Sequence, residues 1–277
     1  MQIVREVDAV KAMRKAWEQP VGLVPTMGYL HQGHVELVRQ ARASNATVVV
    51  SIFVNPTQFG PSEDYGRYPR AFERDCAMLQ SAGADVVFAP APHEMYPPGF
   101  SSWVVVEDVT SRFEGAIRPV HFRGVATVCN KLFNIVYPAR AYFGQKDAQQ
   151  VAVIKRMVRD LNMNLEIAVV PTVREPDGLA MSSRNSYLSP EQRAAASVLY
   201  RALTAAKALR NQGGHPAEVC SKMEEVVSAE SLAVLDYAAV VDPLTFEPVE
   251  SLDRPCLSVL AVRFGTTRLI DNMRLDE

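Results

Sequence analysis

Two histidines three residues apart, His31 and His34, close the run Pro25-Thr26-Met27-Gly28-Tyr29-Leu30-His31-Gln32-Gly33-His34. A strand-like segment at 22–24 precedes the run, and an amphipathic helix-like segment at about 33–43 follows it. Gly33 lets a ligand approach the backbone. Helix-start N–H groups and the helix dipole favour negative charge there, and two imidazoles can donate to phosphate oxygens. The Gly28-to-Gly33 spacing imitates a P-loop, but Lys and Ser/Thr must follow, and here His34-Val35 do. A zinc site is equally disfavoured, because the Glu of H-E-x-x-H is missing. An H-x-G-H anion site is what remains.

Four further clusters have the right chemistry but weaker patterns. Met181-Ser182-Ser183-Arg184, after Asp177-Gly178, sets two hydroxyls beside a guanidinium, which suits a departing pyrophosphate. In Gly144-Gln145-Lys146-Asp147-Ala148-Gln149-Gln150, Lys146 offers a point charge for phosphate, and Asp147 could face a ribose or help position magnesium. Asp147 is also an ordinary helix-start residue. Gln150, one turn into the helix, could orient a small polar substrate. Asn55 and Gln58, in Val54-Asn55-Pro56-Thr57-Gln58-Phe59, are neutral hydrogen-bonders suited to a hydroxy acid. His121-Phe122-Arg123-Gly124 leads a helix and could hold another anion, although Arg118 and Arg123 could equally be surface charges.

The elements that must position these residues follow from periodicity. Apolar runs of strand length at 22–24, 47–54, 84–89, 141–143 and 166–170 alternate with helical stretches at 33–43, 69–82, 124–136 and 147–161. Residues 102–106 read as a further strand. Strands apolar on both faces and separated by helices predict an α/β fold, a parallel sheet with helices on both faces. Ligands in such sheets bind beyond the carboxyl ends of the strands. From about Pro176 the pattern changes. Ser189-Pro190-Glu191-Gln192 combines an N-cap, a first-turn proline and a capping-box glutamine. One helix to about Arg210, a second at 216–228, and strands at 235–241 and 257–264 predict a smaller C-terminal α+β domain. The division falls at 1–175 and 176–277.

Composition excludes several classes. In 277 residues, 29 Lys plus Arg balance 31 Asp plus Glu, so no global basic field calls for nucleic acid or an anionic membrane. The four cysteines are widely spaced and form no C-x-x-C pair, which fits free thiols in a reducing compartment. The start of the chain lacks the apolar core of a signal peptide. The longest apolar run, 48–54, is far short of the ~20 residues of a membrane span. A soluble, cytoplasmic protein is expected.

H-x-G-H followed by M-S-S-R resembles the nucleotidylyltransferase superfamily, which shares both signatures with class I aminoacyl-tRNA synthetases. Within it, P-T-M-G-x-L-H-x-G-H, S-I-F-V-N-P-x-Q-F, H-F-R-G-V, F-G-x-K-D-x-Q-Q and S-S-R-N-x-Y-L resemble the pantothenate synthetase family, with a weaker match at 268–272. The resemblance implies a Rossmann-like N-terminal domain, a C-terminal lid domain, a homodimer, and ATP with magnesium held mainly by the ATP phosphates. The implied reaction is ATP-dependent condensation of pantoate with β-alanine through a pantoyl-adenylate. Met27, Gly28, Tyr29, Leu30, His31, Gln32, Gly33 and His34 are then expected at ATP. Gly144, Gln145, Lys146, Asp147, Val173, Met181, Ser182, Ser183 and Arg184 are expected there too. His34, His31, Lys146 and Arg184 would be catalytic. Gln58, Gln150 and Met27 would meet pantoate, and Gln58 with Asn55 would meet β-alanine. Gln145 departs from the family, where Glu is commoner, with a small effect expected. The rivals are a nucleotidyl transfer to a phosphorylated acceptor and a nucleotide-binding module without turnover.

Overall fold

Six short strands in the first part of the chain pair in parallel, and the four inner ones are buried on both faces. In the computed structural model, which describes residues 1–61 and 63–276, they are β1 (Gln2–Val4), β2 (Val21–Thr26), β3 (Thr47–Ile52), β4 (Val86–Phe88), β5 (Arg140–Gly144) and β6 (Glu166–Val170), in the order β1-β4-β3-β2-β5-β6. Register runs Leu23 against Val49 and Ala141, and Tyr142 against Ala168. Helices α1 (Val7–Met13), α2 (Gln32–Ser44), α3 (Phe72–Ala82), α4 (Pro92–Met95), α5 (Glu114–Ile117), α6 (His121–Val136) and α7 (Ala148–Asp160) accompany them.

The two faces of the sheet are covered by different helices. Val24, Val48, Val50 and Val87 pack with Val35, Val38 and Ala41 of α2 and Leu79 of α3. α6, buried along most of its length, packs against β2 and α1. The chain leaves β2 for β3 on one side and β5 for β6 on the other. The crossovers therefore diverge between β2 and β5, the switch point beyond whose strand ends such sheets bind ligands. Met27 follows β2 directly and Gly144 closes β5.

The chain forms two compact units, Met1–Gly144 with Val153–Val170, and Gln145–Ala152 with Pro171–Glu277. In the second, β7 (Val234–Val241), β8 (Leu257–Phe264) and β9 (Thr267–Arg274) form an antiparallel sheet with β8 central. α8 (Pro190–Ala195), α9 (Val198–Asn211) and α10 (Pro216–Ser228) accompany it. Leu199, Leu203, Val219 and Met223 from α9 and α10 share one core with Leu260, Val262 and Phe264. Ser189 and Gln192 form the expected capping box.

Two expectations are corrected, and one strand was not expected. Residues 102–106 form no strand: Val104 N donates to Thr127 Oγ1, and Val105 is exposed, because β-propensity without a ladder partner makes no sheet. The helix read through to Arg210 breaks around Ser197 into α8 and α9. β9 was not legible, since Arg268, Asp271 and Asn272 interrupt its apolar pattern. No helix among the described residues is long and apolar enough to cross a membrane.

Gly178 holds a left-handed φ of +90°, and a Cβ there would lie 1.9 Å from the Tyr200 ring. Gly178→Ala is expected to cost roughly 2 kcal/mol or more, seen as a lower thermal unfolding midpoint. An unchanged midpoint would mean that the ring moves aside freely.

Candidate active site

The turn from β2 into α2 must satisfy a series of backbone N–H groups that no helix or strand can pair. Gly28 (φ +83°) and Tyr29 (φ +50°) are both left-handed, which reverses the chain within two residues. Buried Asp75, in the first turn of α3, accepts from Tyr29 N at 2.6 Å and Leu30 N at 2.8 Å. Arg74 donates to Leu30 O and lies 4.7 Å over the Tyr29 ring. Gly28 N donates to Thr26 Oγ1 at 3.2 Å.

The two histidines cap α2 reciprocally. Gly33 N donates to His31 Nδ1 at 3.1 Å, and His31 N to His34 Nδ1 at 3.3 Å. The rings lie 4.1 Å apart. Since both Nδ1 atoms accept, each neutral imidazole carries its proton on Nε2. Capping thus sets the tautomer that makes each ring a donor. Gln32 and Gly33 form the first turn of α2, and Leu30 is buried beneath it.

Beyond β3, buried amides form a second wall. Asn55 Oδ1 accepts from Tyr96 Oη at 2.8 Å and from the Thr57 hydroxyl at 3.0 Å. Its Nδ2 donates to Gly124 O at 3.1 Å and Gln58 Oε1 at 3.0 Å. Gln58 must therefore turn its Nε2 outward, where it meets the Met27 sulfur at 3.0 Å. Asn55, 1% exposed, has both ends of its amide engaged by these partners. Gly124 allows α6 this close: a Cβ there would lie 2.4 Å from Thr57 O.

The His-Phe-Arg-Gly run serves the same wall. Arg118 donates to both Glu63 oxygens, at 2.9 and 2.6 Å, which fixes its guanidinium. Its Nη1 lies 3.2 Å from His121 Nε2, so that nitrogen accepts and His121 Nδ1 donates to Gln58 O at 3.0 Å. Burial, aided by the neighbouring Arg118 charge, lowers the His121 pKa to about 4. Arg123 lies over Trp103 at 4.7 Å. The expected anion site at the start of α6 is instead a neutral histidine tied to Gln58 and an arginine tied to Glu63.

In the second unit, Gln145, Lys146 and Asp147 form one 3₁₀ turn, with Lys146 Nζ 3.4 Å from Asp147 Oδ1. Asn272 of β9 underlies the turn: its Nδ2 donates to Gln145 O and Lys146 O, each at 2.9 Å, and Gln145 Nε2 donates back to Asn272 Oδ1 at 2.8 Å. Neighbouring Asp271 takes both nitrogens of Arg174, at 2.6 and 3.1 Å. Burial raises the Asp271 pKa while Arg174 opposes the shift. Gln150 is half-buried in the first turn of α7.

Val173 and Met181 are brought together by Met181 N donating to Val173 O at 3.0 Å, beside an Arg174–Ala180 bridge. Ser182 caps the 3₁₀ turn Ser183–Tyr187 by accepting from Arg184 N at 3.3 Å. Asn185 anchors that turn to Glu175 and Ala180 O. Sequence reasoning missed Asp75, Tyr96 and Glu63; their partners lie 39 to 55 positions away, with no local signal. Among the described residues no three His, Cys, Asp or Glu side chains are grouped to hold a metal ion.

Fold and turn together define a nucleotide-binding α/β protein with an H-x-G-H helix start. A family model for pantoate–β-alanine ligase matches residues 2–274. The pantothenate synthetase of Herpetosiphon aurantiacus is 56% identical over 99% of both chains, and that of Chloroflexus aggregans 55% identical over 99% of this chain and all of the relative. A crystal structure of pantothenate synthetase from Thermus thermophilus superposes with a TM-score of 0.95 at 53% identity, covering 99% of each chain. A ligase of Francisella tularensis, solved as a complex with beta-gamma ATP and β-alanine, matches with a TM-score of 0.82 at 34% identity, covering 100% of this chain and 98% of its own. The chain belongs to the pantoate–β-alanine ligase family.

His121 gives a pH test. The unfolded imidazole takes a proton near its ordinary value of 6.5, the folded one only near 4. Between those values the unfolded state holds more protons, so stability falls as pH drops through the window. His121→Asn, which keeps a donor for Gln58 O, should lose about 2–3 kcal/mol less than the parent between pH 7 and 4.5, measured by denaturant unfolding at both pH values. Parallel losses would show that His121 is not buried neutral.

Proposed function

We infer that the chain condenses pantoate with β-alanine at the expense of ATP, giving pantothenate, AMP and pyrophosphate. The observation that carries this is the imidazole-capped start of α2 with the Gln58 amide turned outward against Met27. The Francisella relative, bound to beta-gamma ATP and β-alanine, supports the same substrates.

A carboxylate resists attack by an amine because its oxygen leaves poorly, so it must be activated. The pantoate carboxylate oxygen attacks the α-phosphorus, the bond to the bridging oxygen breaks, and pyrophosphate departs. The β-alanine amine then displaces AMP from the pantoyl-adenylate. One anion approaches another in the first step, so charge compensation dominates the barrier. His31 and His34 are assigned as donors from Nε2 to phosphate oxygens, and Lys146 and Arg184 as the cations that follow the developing charge. Met27–Gln32 backbone, Gly33, Gly144, Gln145, Asp147, Val173, Met181, Ser182 and Ser183 are assigned to the nucleotide. Gln58 and Gln150, with Met27, are assigned to pantoate, and Gln58 also to β-alanine.

Magnesium fits as an ion brought with the ATP phosphates, with Asp147 the one carboxylate of the lysine turn. It would neutralise phosphate charge. We keep residues 1–175 and 176–277 as the proposed substrate and lid domains, and propose a cytoplasmic homodimer.

Incubation with magnesium, ATP and pantoate should release pyrophosphate and give a tightly held pantoyl-adenylate, identified by mass; adding β-alanine should give pantothenate and AMP. No pyrophosphate with pantoate would end the assignment and point to a phosphorylated acceptor. Lys146→Ala and His34→Ala should each slow adenylate formation by about 10²–10³ with the fold intact; near-normal rates in both would remove those roles.

Asn55→Asp tests the amide wall. A carboxylate cannot donate to Gln58 Oε1, so the Gln58 amide should reverse and present oxygen to the substrate. The KM for pantoate should rise by about 10–100-fold, while that for ATP changes little. An unchanged pantoate KM would mean that Gln58 orientation is not what selects the acid.

A further inference from the structure

The weaker sequence match at 268–272 lies on β9, far along the chain from every residue assigned to the substrates, yet Asn272 makes three side-chain contacts with the lysine turn. We propose that Asn272 is a positioning residue for Lys146: its amide fixes both peptide groups flanking the lysine and so sets where the ammonium points. The proposal rests on the reading that Lys146 meets the phosphates.

The geometry is specific. The carbonyl of Gln145 belongs to the peptide before the Lys146 Cα, and the carbonyl of Lys146 to the peptide after it. Asn272 Nδ2 has two hydrogens, and at 2.9 Å from each oxygen it can give one to each. Holding both planes fixes the rotation about the bonds at that Cα, and with it the direction of Cβ. A reversed Asn272 amide would face two carbonyl oxygens with a third, and Gln145 Nε2, donating to Oδ1 at 2.8 Å, opposes that reversal.

Asn272 is itself immobilised. It is 3% exposed. Its backbone N donates to Asp271 Oδ1 at 2.8 Å, and its carbonyl accepts from Arg174 at 3.3 Å. Arg174 is in turn paired to Asp271, donates to Gly178 O at 3.0 Å, and lies 4.7 Å over Tyr200. The lysine turn therefore sits on a buried, charge-paired base rather than on a mobile loop. A lysine side chain has rotatable bonds enough to miss its target, so pointing its stem limits what is lost at the moment of reaction.

The test is pyrophosphate release with magnesium, ATP and pantoate, measured for Asn272→Asp, Asn272→Ser and Lys146→Ala alone and in combination. Asn272→Asp keeps the acceptor for Gln145 but loses both donors, and should lower the maximal rate by about 10–100-fold with the KM for pantoate within about twofold. Asn272→Ser, whose shorter hydroxyl reaches neither carbonyl and adds no charge, should fall by a similar amount, and carries the test if the Asp variant does not fold. In the Lys146→Ala background either change should matter by less than about twofold, because the group being positioned is gone. Asn272 defects that persist in full without Lys146 would make Asn272 a general structural residue and overturn the proposal. So would near-normal single variants beside a crippled Lys146→Ala. A near-normal Lys146→Ala would instead remove the reading of Lys146 on which the proposal stands.

Discussion

Backbone N–H groups left over where β2 turns into α2 set the terms for everything around them. A strand ends at Thr26 and a helix begins at Gln32, and the donors between can pair with neither. Asp75 takes two of them, Thr26 another, and the two imidazoles take two more. Because the rings cap through Nδ1, the same bonds that stabilise the turn leave the proton of each neutral ring on Nε2. The left-handed turn at Gly28 and Tyr29 is held by a carboxylate from α3.

Orientation of neutral amides is the second theme, and it recurs in both units. Asn55 and Gln58 in the first, and Gln145 and Asn272 in the second, are pairs in which one amide fixes which end the other presents. Amides have a donor end and an acceptor end of the same shape, so packing cannot orient them; only a surrounding set of donors and acceptors can. Tyr96 and Thr57 supply it to Asn55. Under the proposed assignment of Gln58 to pantoate, uncharged donors of fixed direction would select a hydroxy acid without attracting a phosphorylated one.

Charged groups are kept in a different relation. Arg118 is matched to Glu63 and Arg174 to Asp271 before any ligand arrives. These pairs act as anchors: the first steadies His121 and the carbonyl of Gln58, the second the strand beneath the lysine turn. Buried pairs of this kind contribute little net stability, since desolvation offsets their attraction, but breaking one leaves an uncompensated charge. They make local geometry hard to change.

The sequence by itself determined the parallel α/β core, the position of the H-x-G-H turn and the family. These follow from periodicity and from adjacent residues: apolar runs at 47–54 and 166–170, a capping box at Ser189–Gln192, two histidines and two glycines in one turn. It singled out Gln58, Lys146 and the Met181–Arg184 run as candidates for the same reason. Tertiary structure alone decided what holds them. Asp75 reaches Tyr29 across 46 positions, Tyr96 reaches Asn55 across 41, and Asn272 reaches Lys146 across 126. None of these partners is marked by a local pattern, because a hydrogen bond depends on where two side chains meet and not on their separation along the chain. The strand expected at 102–106 fails for the same physical reason: strand formation needs a neighbouring ladder, which residues 102–106 do not have within the described chain. The surroundings of His121 were likewise decided by the tertiary structure, since burial and the neighbouring Arg118 charge lower its pKa to about 4.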